Sequence, residues 1–258
     1  MKAKKSYGQH FLNSEEISSL IADSLRDNGA FQKVLEIGPG KGMLTKYLLQ
    51  KKYALLVVEA DQDMVQYLKK HYPVLRERII SADFLKIPLD KIFPGEPFGI
   101  IGNFPYNISS QILFKMLDYK EQIPELVGMF QKEVAERVVS VPGSKVYGVI
   151  SVLVQAWYKG EYLFTVDKEN FNPPPKVQSA VIRLTRKDQT GIGCDEKLFK
   201  SIVKQTFSQR RKMLRNTMKA FLKDNPLLDD PFFTQRPEKV SLEGFVQLTN
   251  WVTEARGE

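Results

Sequence analysis

The chain is 258 residues long with 43% apolar residues, enough to bury an α/β core and leave a smaller second unit. Its formal net charge of +8 and pI near 9.3 point to a polyanionic partner without saying which. A single cysteine, Cys194, excludes an internal disulfide, two histidines are too few for a metal site, and no apolar run reaches the roughly 18 residues of a membrane span.

The first residues, Met1-Lys2-Ala3-Lys4-Lys5-Ser6-Tyr7, have no apolar stretch behind their charges and do not read as a secretory signal. This basic, glycine-containing leader is expected to stay mobile until a ligand orders it. Asn13-Ser14-Glu15-Glu16 reads as a capped helix start, with Ile17, Leu20, Ile21 and Leu25 on one face. Four segments then repeat one layout. Val34-Leu35-Glu36-Ile37 breaks into Gly38-Pro39-Gly40-Lys41-Gly42, and Ala54-Leu55-Leu56-Val57-Val58 ends in Glu59. Arg78-Ile79-Ile80-Ser81-Ala82 ends in Asp83-Phe84, and Phe98-Gly99-Ile100-Ile101-Gly102 runs into Asn103-Phe104-Pro105-Tyr106. Helical patterns at residues 43–50 and 62–71 lie between them. Strand, turn and helix at this spacing predict βαβ units and a parallel sheet. Right-handed crossovers then line Gly38, Glu59, Asp83 and Asn103 along one carboxyl edge, where such sheets bind ligands.

Further along, a helix starts near Ser109 and carries Ile112, Leu113, Met116 and Leu117. Residues 126–130 read as a buried strand, 147–157 as a helix, and 162–166 with 180–185 as a closing strand pair. The polar stretch from Arg186 to Gly193, twice interrupted by glycine, is the expected boundary. This gives domains at residues 1–187 and 188–258. Beyond it, Ile202, Val203, Phe207, Leu214, Met218 and Phe221 form an apolar stripe at helical spacing. Arg211, Arg215, Lys219 and Lys223 recur every four residues, with Arg210 and Lys212 beside them. Such a run reads as a solvated face or, in so basic a chain, as a phosphate-contacting surface. Leu242, Phe245, Val246, Leu248 and Trp251 predict a last helix packed against it.

The chemistry sits at the strand ends. A glycine-rich turn lets backbone approach a ligand closely. Glu59 follows Gly38 by 21 residues (59 minus 38), the offset at which an acid grips ribose hydroxyls. Asp83 is placed to accept from an adenine amino group, with Phe84 or Ile37 on the ring, although a strand-end acid also serves as a helix cap. Met43 stands where a dinucleotide fingerprint wants its third glycine, which favours S-adenosylmethionine over NAD. Asn103-Phe104-Pro105-Tyr106 supplies an amide oxygen, a backbone carbonyl turned outward by proline, and an aromatic face. Those groups hold a planar aromatic amine by its two N–H groups. Phe171 reads either as a second stacking ring or as a core residue before Pro173-Pro174-Pro175.

With these residues in place, the chain closely resembles the KsgA-type ribosomal RNA small-subunit adenine dimethyltransferases. The matching blocks are Gly8-Gln9-His10-Phe11-Leu12, Glu36-Ile37-Gly38-Pro39-Gly40, Asp83-Phe84, Asn103-Phe104-Pro105-Tyr106 and Gln131-Lys132-Glu133-Val134. They continue through Phe171-Asn172-Pro173-Pro174-Pro175-Lys176-Val177-Gln178-Ser179-Ala180-Val181 and Phe207-Ser208-Gln209-Arg210-Arg211-Lys212. The resemblance implies an α/β, Rossmann-like S-adenosylmethionine-dependent methyltransferase sheet with a small all-helical C-terminal domain. It implies S-adenosylmethionine as donor, with contacts at His10, Leu12, Gly38, Gly40, Glu59, Asp83, Phe84 and Asn103. It implies catalysis by Asn103, Phe104, Pro105 and Tyr106 with Phe171 in the base pocket, RNA contacts by Arg210, Arg211, Lys212 and Arg215, and no metal. The implied substrate is 16S ribosomal RNA in the small subunit or its precursor, dimethylated at two adjacent adenosines near the 3′ end by a cytoplasmic monomer. Many relatives have Asn at His10 and Leu at Phe104. The competing readings are a large-subunit adenine methyltransferase of the antibiotic-resistance type, an assembly factor acting mainly by binding, and, least favoured, a small-molecule methyltransferase.

Overall fold

The computed structural model describes residues 8–26 and 29–257. The expectation of a mobile leader falls largely on residues 1–7, outside the described residues. In chain order the elements are β1 (Phe11–Leu12), α1 (Glu15–Asp23), β2 (Lys33–Ile37), α2 (Thr45–Leu48), β3 (Ala54–Glu59), α3 (Gln62–His71), β4 (Ile79–Ser81), β5 (Phe98–Asn103) and α4 (Ser109–Asp118). They continue with β6 (Glu125–Gln131), α5 (Lys132–Val139), α6 (Val149–Gln155), β7 (Tyr158–Val166), β8 (Phe171–Asn172) and β9 (Ser179–Arg186). The last are α7 (Glu196–Ser208), α8 (Leu214–Thr217), α9 (Lys219–Leu222) and α10 (Leu242–Arg256).

Seven strands form one sheet in the order β4-β3-β2-β5-β6-β9-β7. From β4 to β6 the pairing is parallel, and β9 runs antiparallel to β6. The central strands are mostly apolar because both of their faces are covered, as in other parallel sheets, with Glu36 of β2 and Glu125 of β6 buried among them. The chain builds outward from β2 to β3 and β4, then crosses back to set β5 on the other side of β2. That reversal leaves a crevice at the carboxyl ends of β2 and β5. On β5 and β6 the register places Gly102 opposite Gly128. A Cβ on Gly128 would stand 2.2 Å from the Phe104 ring, and one on Gly102 would stand 2.8 Å from it. The paired glycines therefore make the slot in which that ring is buried, edge-on to Phe130 at 5.1 Å.

Compact packing divides the chain into one unit ending at Ala135 and resuming over Lys159–Arg186, and a second made of Glu136–Tyr158 with Lys187–Glu258. The expected division at 187/188 misses the first piece of the second unit. Side chains there explain the difference: α6 packs on α7, Gln189 Nε2 donates to the Ala156 carbonyl at 2.8 Å, and Tyr147 meets Phe207 edge-on at 6.1 Å.

Two helix expectations need correction. In α1, Ser14 caps the helix by accepting from the Ile17 amide, but Leu20 is 47% exposed. The buried face is rotated towards Ser18, Ile21 and Ala22, and the Ser18 hydroxyl is satisfied by the Ser14 carbonyl at 2.7 Å. The stripe from Ile202 to Phe221 does not lie on one helix. α7 ends at Ser208, residues 209–213 turn, and the Leu214 amide donates to the Gln235 carbonyl at 2.8 Å before α8 and α9 resume. Arg211, Arg215, Lys219 and Lys223 thus share no continuous helical face. Among the described residues no helix is long and apolar enough to cross a membrane.

Candidate active site

A cavity of about 460 Å³ opens at the carboxyl ends of β2, β3, β4 and β5. His10, Leu12, Gly38, Gly40, Glu59, Asp83, Phe84, Asn103, Phe104, Pro105 and Tyr106 all line it. Residues up to 96 positions apart, His10 and Tyr106 (106 minus 10), are thus brought to one wall, as strand-end placement requires.

The β2 turn is held by three positive-φ glycines, Gly38 at +66°, Gly40 at +55° and Gly42 at +78°, a region closed to side chains without strain. The Gly40 amide donates to Glu59 Oε2 at 3.1 Å, and the Asp61 amide donates to Oε1 at 2.9 Å. Burial lifts the Glu59 pKa above the usual carboxylate range, with these amides opposing it. Behind it Glu36 is buried and accepts from the Thr45 hydroxyl at 2.7 Å. Burial, with a contribution from Glu59, pushes Glu36 up to about 8.

Asn103 Nδ2 donates to the His10 carbonyl at 3.1 Å. A carbonyl can only accept, so this contact fixes the amide orientation and leaves Oδ1 as the acceptor. Among the described residues no hydrogen bond takes the Phe104 carbonyl oxygen. The Tyr106 hydroxyl shares a 2.6 Å hydrogen bond with Ser179 Oγ, and burial raises its pKa. His10 stacks on Tyr106 with centroids 5.4 Å apart, and its Nδ1 donates to the Pro173 carbonyl at 2.8 Å. Residues 8–12 cross the cavity as a strap. Gln9 Nε2 donates to Asp61 Oδ2 at 3.0 Å, and the Phe11 ring covers Gly40 with Lys41 Nζ 4.9 Å from its centroid.

Asp83 does act as a local cap, because its Oδ1 accepts from the Leu85 amide at 3.0 Å. Its side chain still remains 43% exposed at the cavity edge.

Phe171 is not on the cavity wall. It is 3% exposed and packs with Leu12, Ile21 and Val166 in the core. Phe171 pairs antiparallel with Leu12, and in this structure it occupies the position of a core residue. The basic set also divides. Arg211 and Lys212 are exposed, whereas Arg210 donates to the Lys145 carbonyl at 2.7 Å and lies 3.9 Å from Glu238. Arg215 is half-buried and its Nε is shielded from solvent. Sequence reasoning missed Gln9, Asp61 and Ser179. Asp61 carried a readable signal as the N-cap of α3, while the Tyr106–Ser179 contact spans 73 residues and had none.

The cavity fits S-adenosylmethionine. A Cβ on Gly38 would meet only Pro105, at 3.9 Å, so the turn leaves its floor open to a ligand. Buried Glu59, the Asp83 edge and the Phe84 face give acceptor groups and an apolar surface suited to a nucleoside. The family model of ribosomal RNA adenine dimethylases matches residues 1–234. A ribosomal RNA small subunit methyltransferase A of Parabacteroides distasonis is 58% identical over 250 residues, which are 96% of this chain and 93% of the relative. Its counterpart in Phocaeicola vulgatus is 56% identical over 256 residues, 99% and 91% of the two chains. In fold, the chain is similar to a dimethyladenosine transferase from Plasmodium falciparum, with a TM-score of 0.79 at 24% identity over 96% of this chain and 98% of that one. It is also similar to the 23S rRNA methyltransferase ErmE, at 0.66 and 23% over 93% and 99%. Sequence likeness of this extent places the chain in the ribosomal RNA adenine dimethylase family, enzymes that carry methyl groups from S-adenosylmethionine to adenine amines of ribosomal RNA.

Proposed function

We propose that this enzyme dimethylates two adjacent adenosines near the 3′ end of 16S ribosomal RNA, in the small subunit or its precursor, as a cytoplasmic monomer. The small-subunit assignment is supported by relatives that carry it in their names at 56–58% identity. Glu59 accepts from the ribose hydroxyls, Asp83 from the adenine amine, and Phe84 packs on the adenine ring. Gly38 and Gly40 carry backbone past the aminoacyl end, with His10 and Leu12 closing the strap over it.

The bound donor supplies a methyl group on a sulfonium, whose departure leaves a neutral thioether. The difficulty lies in the acceptor, because an adenine amine shares its lone pair with the ring. Asn103 Oδ1 and the Phe104 carbonyl accept its two hydrogens and draw the nitrogen towards a tetrahedral shape. Its lone pair is then directed outward, and the two oxygens stabilise the positive charge that develops. The proton becomes acidic once the methyl is added and leaves to water, so no side-chain base is needed. Pro105 stiffens the turn, and Tyr106 stacks on the extruded base, a contact worth about 1–3 kcal/mol. Base entry requires the His10 ring to move off Tyr106. Arg211 and Lys212 of the second unit contact phosphates.

The observation that carries this reading is the Asn103–His10 hydrogen bond, which leaves Oδ1 free to accept. Mapping tritiated methyl groups after incubation with unmethylated small and large subunits tests it. Label on paired adenosines near the 3′ end of small-subunit RNA is expected. Label confined to large-subunit RNA would overturn the substrate assignment.

A further inference from the structure

The adenine side and the amine side of the cavity hang on different strand ends, and one side chain ties them together. Lys115 lies on α4, the helix that follows the Asn103–Tyr106 turn. Its Nζ donates to the Phe84 and Ile87 carbonyls, both at 2.5 Å, and sits 5.0 Å from the Phe84 ring centroid. These carbonyls belong to the loop after β4 that carries Asp83 and Phe84 to the cavity. At its root the Ala82 amide donates to the Glu59 carbonyl at 3.1 Å; around Asp83 and Phe84 the other bonds are internal, with Asp83 capping the Leu85 amide and the Lys86 amide donating to the Asp83 carbonyl at 3.0 Å. α4 is anchored without the ammonium, through buried Ile112, Leu113 and Met116 and the Ser109–Tyr106 contact at 3.2 Å. Burial lowers the Lys115 pKa, opposed by Asp83 and Asp118, so the charge is held in a partly dry place where it strengthens each bond.

We propose that Lys115 is a positioning residue for the cofactor's adenine: it holds the Asp83–Phe84 loop at the depth the ring needs and couples that subsite to the helix behind Asn103. An ammonium suits the task, with three donors on a flexible stem and an attraction for the ring face. The proposal rests on the reading of Asp83 as the adenine-amine acceptor. It gives Lys115 no contact with the target RNA and no part in methyl transfer.

The test is calorimetric titration of Lys115→Met, which keeps the apolar stem and removes the ammonium. Binding of S-adenosylhomocysteine is expected to weaken roughly tenfold, about one charge-assisted hydrogen bond. KM for S-adenosylmethionine should rise similarly, while kcat at saturating donor stays within about twofold. A support for folding alone would lower the melting temperature and weaken all nucleoside ligands alike. The deciding readout is therefore the preference for S-adenosylhomocysteine over S-inosylhomocysteine, which carries a carbonyl where adenine carries its amine. That preference should shrink in Lys115→Met and in Asp83→Ala. If Lys115→Met retains it while Asp83→Ala loses it, the proposal is overturned and the Asp83 reading stands. If both retain it, both are overturned. Should the methionine variant not fold, Lys115→Gln is read in the same way, with an intermediate preference expected and the parent's preference overturning the proposal.

Discussion

The strand-end cavity and the basic turn at residues 209–213 handle charge in opposite ways. In the cavity, Glu36 and Glu59 are buried, and identifiable donors (Thr45, Gly40 and Asp61) meet their oxygens. At the turn, Arg211 and Lys212 stand in solvent. A buried carboxyl responds to pH and to single partners, whereas an exposed cation responds to salt. The two regions should therefore be separable by the variable that perturbs them, and each substitution below tests one side.

Glu36 should give the largest effect. Burial first, then the Glu59 carboxyl, lifts its pKa to about 8, against the Thr45 hydroxyl. The folded chain holds a proton that the unfolded chain releases near 4.5, the ordinary value for a glutamate. Stability from that proton is complete below about 4.5 and is lost as pH rises towards about 8, by up to about 1.4 kcal/mol per pH unit. Glu36→Gln cannot ionise, so its denaturation curves should vary less with pH across that window. Parallel profiles for parent and variant would show that Glu36 is already ionised in the fold. Some slope should remain in either case, because Glu59 is shifted the same way.

Glu59→Ala comes next, weakening cofactor affinity about tenfold to a hundredfold, the scale of hydrogen bonds to a charged group. Calorimetry on the folded variant checks this, and unaltered affinity would leave Glu59 as a support for the Gly40 and Asp61 amides. Gly128→Ala probes the slot for the Phe104 ring. A Cβ at 2.2 Å must displace it, at a cost of about 1–3 kcal/mol in chemical denaturation. A neutral outcome would mean the ring has other room. The smallest effect belongs to the exposed turn. Arg211→Ala with Lys212→Ala should leave cofactor binding untouched and flatten the slope of log RNA affinity against log salt by about one to two units. The parent's slope in a folded double variant would take the turn off the RNA surface.

The same contrast explains what was legible in the sequence. Strand ends are local: an apolar run followed by glycine, acid or Asn-x-Pro-Tyr announces both the strand and its chemistry. Gly38, Glu59, Asp83 and Asn103 accordingly line one cavity. Where long-range packing decides, the pattern misleads. Phe171, paired with Leu12, is buried, and on α1 it is Ser18, with its hydroxyl on the Ser14 carbonyl, that is buried while Leu20 is exposed. The periodic stripe beyond Ile202 conceals a turn stabilised by Gln235, and the Arg210 partners Lys145 and Glu238 lie far away in sequence. The assignment of residues 136–158 to the second unit likewise depends on α6 meeting α7, a contact with no local signal.

The most direct test of the cavity chemistry is single-turnover methyl transfer by Asn103→Ala at saturating RNA, with cofactor affinity measured on the same preparation. Affinity should stay within about tenfold of the parent, while the transfer rate falls by roughly a hundredfold or more, the scale for losing a transition-state acceptor. Near-normal transfer in a folded variant would contradict the role given to the Asn103 oxygen and leave the Phe104 carbonyl as the sole proposed acceptor.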